Sequence, residues 1–277
     1  MIKDLTLKLE TDAARDRSLN YAISVAEVFG AHVTAMASSD PITFAQYPIP
    51  AMPETVIANI RAEKEREARA AIARFEEAAK GRGISYDHEI VTHRLPQSAE
   101  AFAVKARRAD LSIVQQMENT DEDNEIVIET VLFDSGRPVL IVPYIQKEGL
   151  KLDHVVCCWD GSATAARAVN DALPFLTQAK NVDILIISNE KTEDPRHQAS
   201  GEGIVKHLAR HGIATQLKVQ QAPDSSVASA ILSYAADQGS DLIVMGGYGH
   251  SRLREFILGG ATRSILASMT VPVLMSH

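Results

Sequence analysis

The residues best suited to chemistry lie near the C-terminal end, where the apolar run Leu242-Ile243-Val244-Met245 leads into Gly246, Gly247 and Gly249 and a second pair, Gly259-Gly260, follows. The pattern Gly246-x2-Gly249-x9-Gly259 offers backbone rather than side chains. Glycines let an anion come close to main-chain N–H groups, and a helix starting after the second pair, over 261–267, presents unpaired N–H groups and a positive dipole end. The chemistry is anion binding. Gly247-Tyr248-Gly249 is followed by His250, Ser251 and Arg252 instead of a third Rossmann glycine, and no Gly-x4-Gly-Lys-Ser/Thr occurs. A tight turn that holds no ligand is the plain alternative.

Other chemistry-bearing residues carry less. Cys157 and Cys158 are adjacent in a predicted strand, where successive side chains point to opposite faces, so they read as core filler rather than as a disulfide or metal pair. His207 and His211 have helical i, i+4 spacing without a zinc-protease frame or a third ligand, and read as a solvated helix face. No nucleophile elbow or paired-carboxylate signature is present, so no catalytic residue and no metal ligand is assigned.

The elements that must position the glycines alternate. Strands are predicted over 5–10, 31–37, 84–92, 111–114 and 139–142, with helices over 13–29, 54–80, 98–108 and 126–133; a loop rich in proline, 38–53, reads as a lid or interface. The order then recurs: strands over 155–159, 182–187, 214–220 and 242–245, with helices over 163–176, 203–211 and 225–238. Asp110-Leu-Ser-Ile-Val parallels Asp241-Leu-Ile-Val-Met, and Arg137-Pro-Val-Leu-Ile-Val parallels Val271-Pro-Val-Leu-Met-Ser. Such alternation implies parallel sheets with helices on both faces. With 277 residues, two domains are expected, 1–146 and 151–277, joined by a short polar stretch. A net charge of −8 argues against a general nucleic-acid binder, and no apolar run reaches the roughly 18 to 20 residues of a membrane span. The N-terminal residues lack the apolar core of a signal peptide, so a cytoplasmic location is expected.

The glycine spacing after a hydrophobic strand resembles the nucleotide loop of the universal stress protein family, Gly-x2-Gly-x9-Gly-Ser/Thr, except that Gly260 stands in place of the hydroxyl. Val155-Val-Cys-Cys-Trp-Asp160-Gly-Ser162 is similar to that family's first strand and its closing Asp-Gly-Ser. The resemblance covers nearly the whole chain and implies a tandem member: two doubly wound α/β domains of the adenine nucleotide alpha hydrolase-like kind, each a five-stranded mainly parallel sheet flanked by helices. It implies that Asp160 contacts adenine or ribose, Ile187 lines the base pocket and Met245 meets the base edge, while Gly246, Gly249, Gly259, Gly260 and Ala261 hold ribose and phosphates by backbone. The implied ligand is an adenine nucleotide, ATP, ADP or AMP, with or without Mg. Thr262 and the arginines Arg252, Arg254 and Arg263 stand near enough in sequence to compensate for the missing hydroxyl.

In the first copy Glu10 replaces the strand-one Asp, and the glycine loop gives way to Gln115-Gln-Met-Glu-Asn-Thr-Asp-Glu-Asp-Asn-Glu125, a solvated acidic loop with five carboxylates where phosphates would lie. That copy is expected to bind no nucleotide. The function implied is a nucleotide-responsive stress protein, with slow ATP hydrolysis as the most that catalysis amounts to; the alternative is an interaction module without nucleotide, recruiting an unknown protein partner. Strands 139–142 and 273–276 are expected at sheet edges, pairing the two domains as an intrachain pseudo-dimer, with further homodimerisation left open.

Overall fold

The computed structural model describes residues 1–39, 53–92, 95–116, 122–188, 195–222, 226–247 and 260–277. They form two compact units, Met1–Gly149 and Leu150–His277. The proline-rich loop lies outside the described residues for most of its length.

The N-terminal unit runs β1 (Asp4–Lys8), α1 (Ser18–Phe29), β2 (His32–Ser38), α2 (Glu54–Gly81), β3 (Tyr86–Val91), α3 (Gln97–Ala106), β4 (Leu111–Gln115), α4 (Glu122–Asp134) and β5 (Val139–Val142). All pairings are parallel, in the order β3-β2-β1-β4-β5. The C-terminal unit runs β6 (His154–Cys158), α5 (Ala163–Asp171), α6 (Leu173–Leu176), β7 (Asn181–Ser188), α7 (Pro195–Arg210), β8 (Thr215–Gln221), α8 (Val227–Asp237), β9 (Leu242–Gly246), α9 (Gly260–Ser268) and β10 (Val273–Ser276). Its parallel order is β10-β9-β6-β7-β8. Each unit is thus a five-stranded doubly wound sheet, as the alternation predicts.

Burial explains the strand types. β4, β5 and β10 are buried at every residue and β9 at all but Gly246, so helices must cover both faces and the sequence reads as largely apolar runs, with Ser112, Gln115 and Ser276 the polar residues among them. β3 and β8, at the outer ends, are half exposed and carry Asp, Glu, Lys and Gln. The repeated aspartate before β4 and β9 has a defined task. Asp110 Oδ2 accepts the N–H of Lys3 at 2.7 Å and of Asp4 at 3.1 Å, and Asp241 Oδ2 accepts those of Asp153 at 2.8 Å and His154 at 2.9 Å. One carboxylate ties the amino end of the central strand to its neighbour in each unit.

Four helices depart from the sequence reading, the first being α1, which begins at Ser18 and leaves 13–17 outside it. The helix expected over 163–176 breaks into α5 and α6, because Pro174 has no N–H to give and its ring crowds the preceding turn. α4 begins at Glu122, so residues 122–125 of the acidic stretch are helical rather than loop; carboxylates in a first helical turn complement the dipole. α7 starts at Pro195 and carries Gly201 in its interior, where a Cβ would meet Ile186 Cδ1 at 2.6 Å, so the glycine lets the helix lie against the sheet.

Candidate functional site

In the C-terminal unit the strand order reverses between β6 and β9, and the carboxyl ends of these neighbours flank the crevice where open α/β sheets take ligands. Past β6, the chain turns through Asp160, Gly161 and Ser162. Gly161 has φ +76°, a left-handed conformation that favours glycine. Asp160 Oδ1 accepts the Ser162 N–H at 2.9 Å, closing an Asx-type turn, and the Asp160 side chain is exposed at the rim. Ser162 caps α5: its Oγ accepts the Ala165 N–H at 3.1 Å and lies 3.1 Å from Thr164 Oγ1.

Past β9, Gly246 packs against that capped turn. A Cβ on Gly246 would lie 2.7 Å from Ala165 N, Thr164 C and Thr164 Oγ1, so only glycine lets the strand end come this close to the helix start. Gly247 is fixed on its other side, its N–H donating to Ser276 O at 2.8 Å and its carbonyl accepting from His277 Nδ1 at 3.1 Å. Met245 is buried at the end of β9 and Ile187 is half-buried near the end of β7. Gly260 and Ala261 open α9 and are exposed, and a Cβ on Gly260 would meet nothing within 4 Å. Thr262, in contrast, is buried, as are Ile265 and Leu266 of the same helix. Gly249 and Gly259, with Arg252 and Arg254, lie outside the described residues.

The corresponding place in the N-terminal unit is filled by the protein itself. Glu10, two residues past β1 as Asp160 is past β6, takes Lys8 Nζ at 2.9 Å and Asn124 Nδ2 at 3.1 Å on one carboxyl oxygen. Arg74, from α2, donates to the carbonyls of Glu10 at 3.0 Å and Thr11 at 3.2 Å. Burial alone would raise the Glu10 carboxyl, but the charge and hydrogen bond of Lys8, with the Asn124 amide, hold it below its ordinary 4.5. Among the acidic residues read as a loop, 117–121 lie outside the described residues.

Residues 151–277 match the model of the universal stress protein family. The chain thus carries a domain of that family. It is 29% identical over 153 residues to a universal stress protein of Synechocystis sp., covering 53% of this chain and 49% of the relative. It is also 30% identical over 90 residues to one of Methanocaldococcus jannaschii, covering 32% of this chain and 52% of that protein. The chain spans about half the length of the curated relatives it matches. The crystal structure of a universal stress protein from Archaeoglobus fulgidus aligns over 99% of this chain and 95% of its own with a TM-score of 0.73 at 17% identity, a likeness of fold.

In the universal stress protein domain, Asp160, Met245 and Gly246 lie at or just past the carboxyl ends of the paired strands β6 and β9, with Ile187 near the end of the neighbouring strand β7. Ser162, Thr164 and His277 belong to the same place and carry no sequence signal beyond the Asp-Gly-Ser that Ser162 completes. What the arrangement offers is a capped helix N-terminus, an exposed carboxylate and close backbone. Among the described residues no group of three or more His, Cys, Asp or Glu is placed to hold a metal ion, and no helix is long and apolar enough to cross a membrane.

Proposed function

We propose that the universal stress protein domain binds one adenine nucleotide, ATP, ADP or AMP, with or without Mg, and that the chain is a cytoplasmic, nucleotide-responsive protein of the stress response. The observation that carries this reading is the packing of Gly246 onto the Ser162-capped start of α5, with Asp160 exposed beside it, at the switch point of the sheet. Asp160 takes the base or ribose end; Gly246, Gly260 and Ala261 with the spacing of Gly249 and Gly259 take the phosphates. Binding is confined to the C-terminal half, because in the N-terminal half Lys8 and Asn124 donate to the Glu10 carboxylate, and Arg74 to the carbonyls of Glu10 and Thr11, where a nucleotide would lie.

The deciding experiment is mass spectrometry of small molecules released on denaturing the purified protein, with calorimetry against ATP, ADP and AMP. One nucleotide per chain is expected. Asp160→Ala is expected to weaken binding by about 1.5 to 3 kcal/mol, roughly ten- to a hundredfold, and Gly259→Val to abolish it. Neither released nucleotide nor binding heat at millimolar concentration would leave the interaction-module reading in its place.

A further inference from the structure

The polar cluster at the carboxyl ends of β1 and β4 contains a group that the nucleotide reading does not use. Asp16 stands just ahead of α1 and is 8% exposed. Its Oδ1 accepts the Leu19 N–H at 3.0 Å and the Ser18 hydroxyl at 3.0 Å, capping a helix whose N-cap residue, Arg17, supplies no side-chain acceptor. The Ser18 hydroxyl also faces the Lys8 carbonyl at 3.2 Å, so the cap is joined to the end of β1. Asp16 Oδ2 is buried and has no hydrogen-bond partner. The charges facing it are Glu10, beyond β1, which repels it, and Arg74, on α2, which attracts it; Lys8 and Arg15 act on Glu10. Neutral amides complete the surround. Gln115 Oε1, at the end of β4, accepts the Arg17 N–H at 2.7 Å, and Asn124, on α4, donates to Glu10 while its own Oδ1 is buried without a partner.

A buried carboxylate with one unbonded oxygen and a like charge nearby is a costly state, and its neutral acid is much less so. We infer that Asp16 is a proton-operated cap: a proton taken on Oδ2 removes a buried, unpartnered charge that opposes Glu10, leaves Oδ1 in place before Leu19 and Ser18, and so stabilises the folded N-terminal unit in mild acid. Burial is the largest cause that pushes the Asp16 carboxyl from 3.8 up to about 6, with Glu10 adding to it; the bonds from Leu19 and Ser18 and the charge of Arg74 oppose the rise. A group raised on folding binds its proton more tightly in the folded chain, here on the order of a hundredfold. Its contribution to stability is therefore full below the unfolded value of 3.8 and is lost as pH rises through about 6. Glu10 runs the other way: its contribution is present above 4.5 and is lost as pH falls through its lower folded value. Between about 6 and 4.5, Asp16 is the member of this pair that titrates.

Carbon-13 NMR of the aspartate carboxyls in the full chain reads the proton directly. A midpoint near 6 for Asp16 is expected, and a midpoint near 3.8 would overturn the inference. Asn caps a helix as well as Asp does, so Asp16→Asn keeps the bond to Leu19 without the titrating proton. Wild type is expected to gain several degrees of thermal stability between pH 7.5 and 5.5 relative to Asp16→Asn, and an equal response in both proteins would overturn the inference. Should Asp16→Asn not fold, the wild-type carboxyl midpoint decides alone. Nucleotide affinity has no part in either readout, so the outcome is separate from that of the proposed function.

Discussion

Gly246 and Thr164 are in contact across the end of β9 and the start of α5, so closely that a single methyl on Gly246 would stand 2.7 Å from Thr164 Oγ1 and 2.7 Å from the Ala165 nitrogen. Two of the three nearest atoms are backbone and cannot swing aside. Gly246→Ala is therefore expected to displace the first turn of α5, costing about 1 to 3 kcal/mol in the C-terminal unit as overpacking does, and to weaken nucleotide binding with it. Denaturant unfolding of the unit and calorimetry together check this. An alanine variant that unfolds and binds as wild type would mean that β9 and α5 are not pressed together.

The glycine pattern made this position visible in the sequence, but for another reason. Spacing shows where backbone can approach a ligand; it contains no distance between β9 and α5, so the packing role of Gly246 appears only in the fold. The paired motifs at Asp110 and Asp241 were similarly legible as a repeat, while their shared bonds to the amino end of the neighbouring central strand were not. Short, largely apolar runs mark β4, β5, β9 and β10 directly, since strands buried on both faces carry few polar residues, here Ser112, Gln115 and Ser276. At residues 122–125 the sequence does not separate loop from helix, because carboxylates are equally at home in a solvated loop and in a first helical turn. Asp16 gave no signal at all: what makes it unusual is its surround of Glu10 and Arg74, which reach it from separate elements.

A buried carboxylate also holds the amino-end side of the C-terminal unit. Asp183 Oδ2 accepts Tyr234 Oη–H at 2.6 Å and lies 2.9 Å from His154 Nε2, joining β6, β7 and α8. Burial, with the bond to Asp183, pushes the Tyr234 phenol up, so it stays a donor throughout the neutral range. Tyr234→Phe should cost about 1 to 3 kcal/mol by removing a donor from a buried acceptor, measured as a lower denaturant midpoint at unchanged slope. Ser240 Oγ lies 3.4 Å from His154 Nδ1, which invites comparison with a nucleophile and its base, but that nitrogen also faces the Gln238 carbonyl at 3.2 Å. The Gln238 carbonyl is the nearer of the two partners of Nδ1, and labelling by a serine-directed phosphonate is not expected.

The two thiols of β6 differ in position, Cys157 being buried and Cys158 half-buried. Burial pushes Cys157 above its ordinary 9.0 and Cys158 up to about 12, the nearby charge of Asp160 adding to the latter. Only a thiolate attacks a disulfide reagent. For a group at about 12 the thiolate fraction at pH 8 falls roughly a thousandfold below that of an unperturbed thiol. A chromogenic disulfide is expected to leave both thiols intact in the native protein and to titrate two per chain in denaturant. Rapid native reaction at Cys158 would show that the Asp160 turn opens.

The sharpest test of the phosphate end lies at Gly260, where the family's loop pattern carries a hydroxyl and this chain does not. Gly260 begins α9, is exposed, and would have no neighbour within 4 Å of an added Cβ, the reverse of the situation at Gly246. Gly260→Ser therefore has no steric cost, and a serine at a helix start is well tolerated. If the terminal phosphates sit at this helix end, the new hydroxyl supplies one donor to an anionic oxygen, a gain of about 0.5 to 1.5 kcal/mol, or roughly two- to tenfold in affinity. That gain must appear for ATP, be smaller for ADP and vanish for AMP, because the donor reaches only phosphates that AMP lacks. Calorimetry with the three nucleotides on wild type and Gly260→Ser separates the contributions. An equal gain for AMP would place the hydroxyl elsewhere in the crevice, and an unchanged ATP affinity would remove the start of α9 from the site.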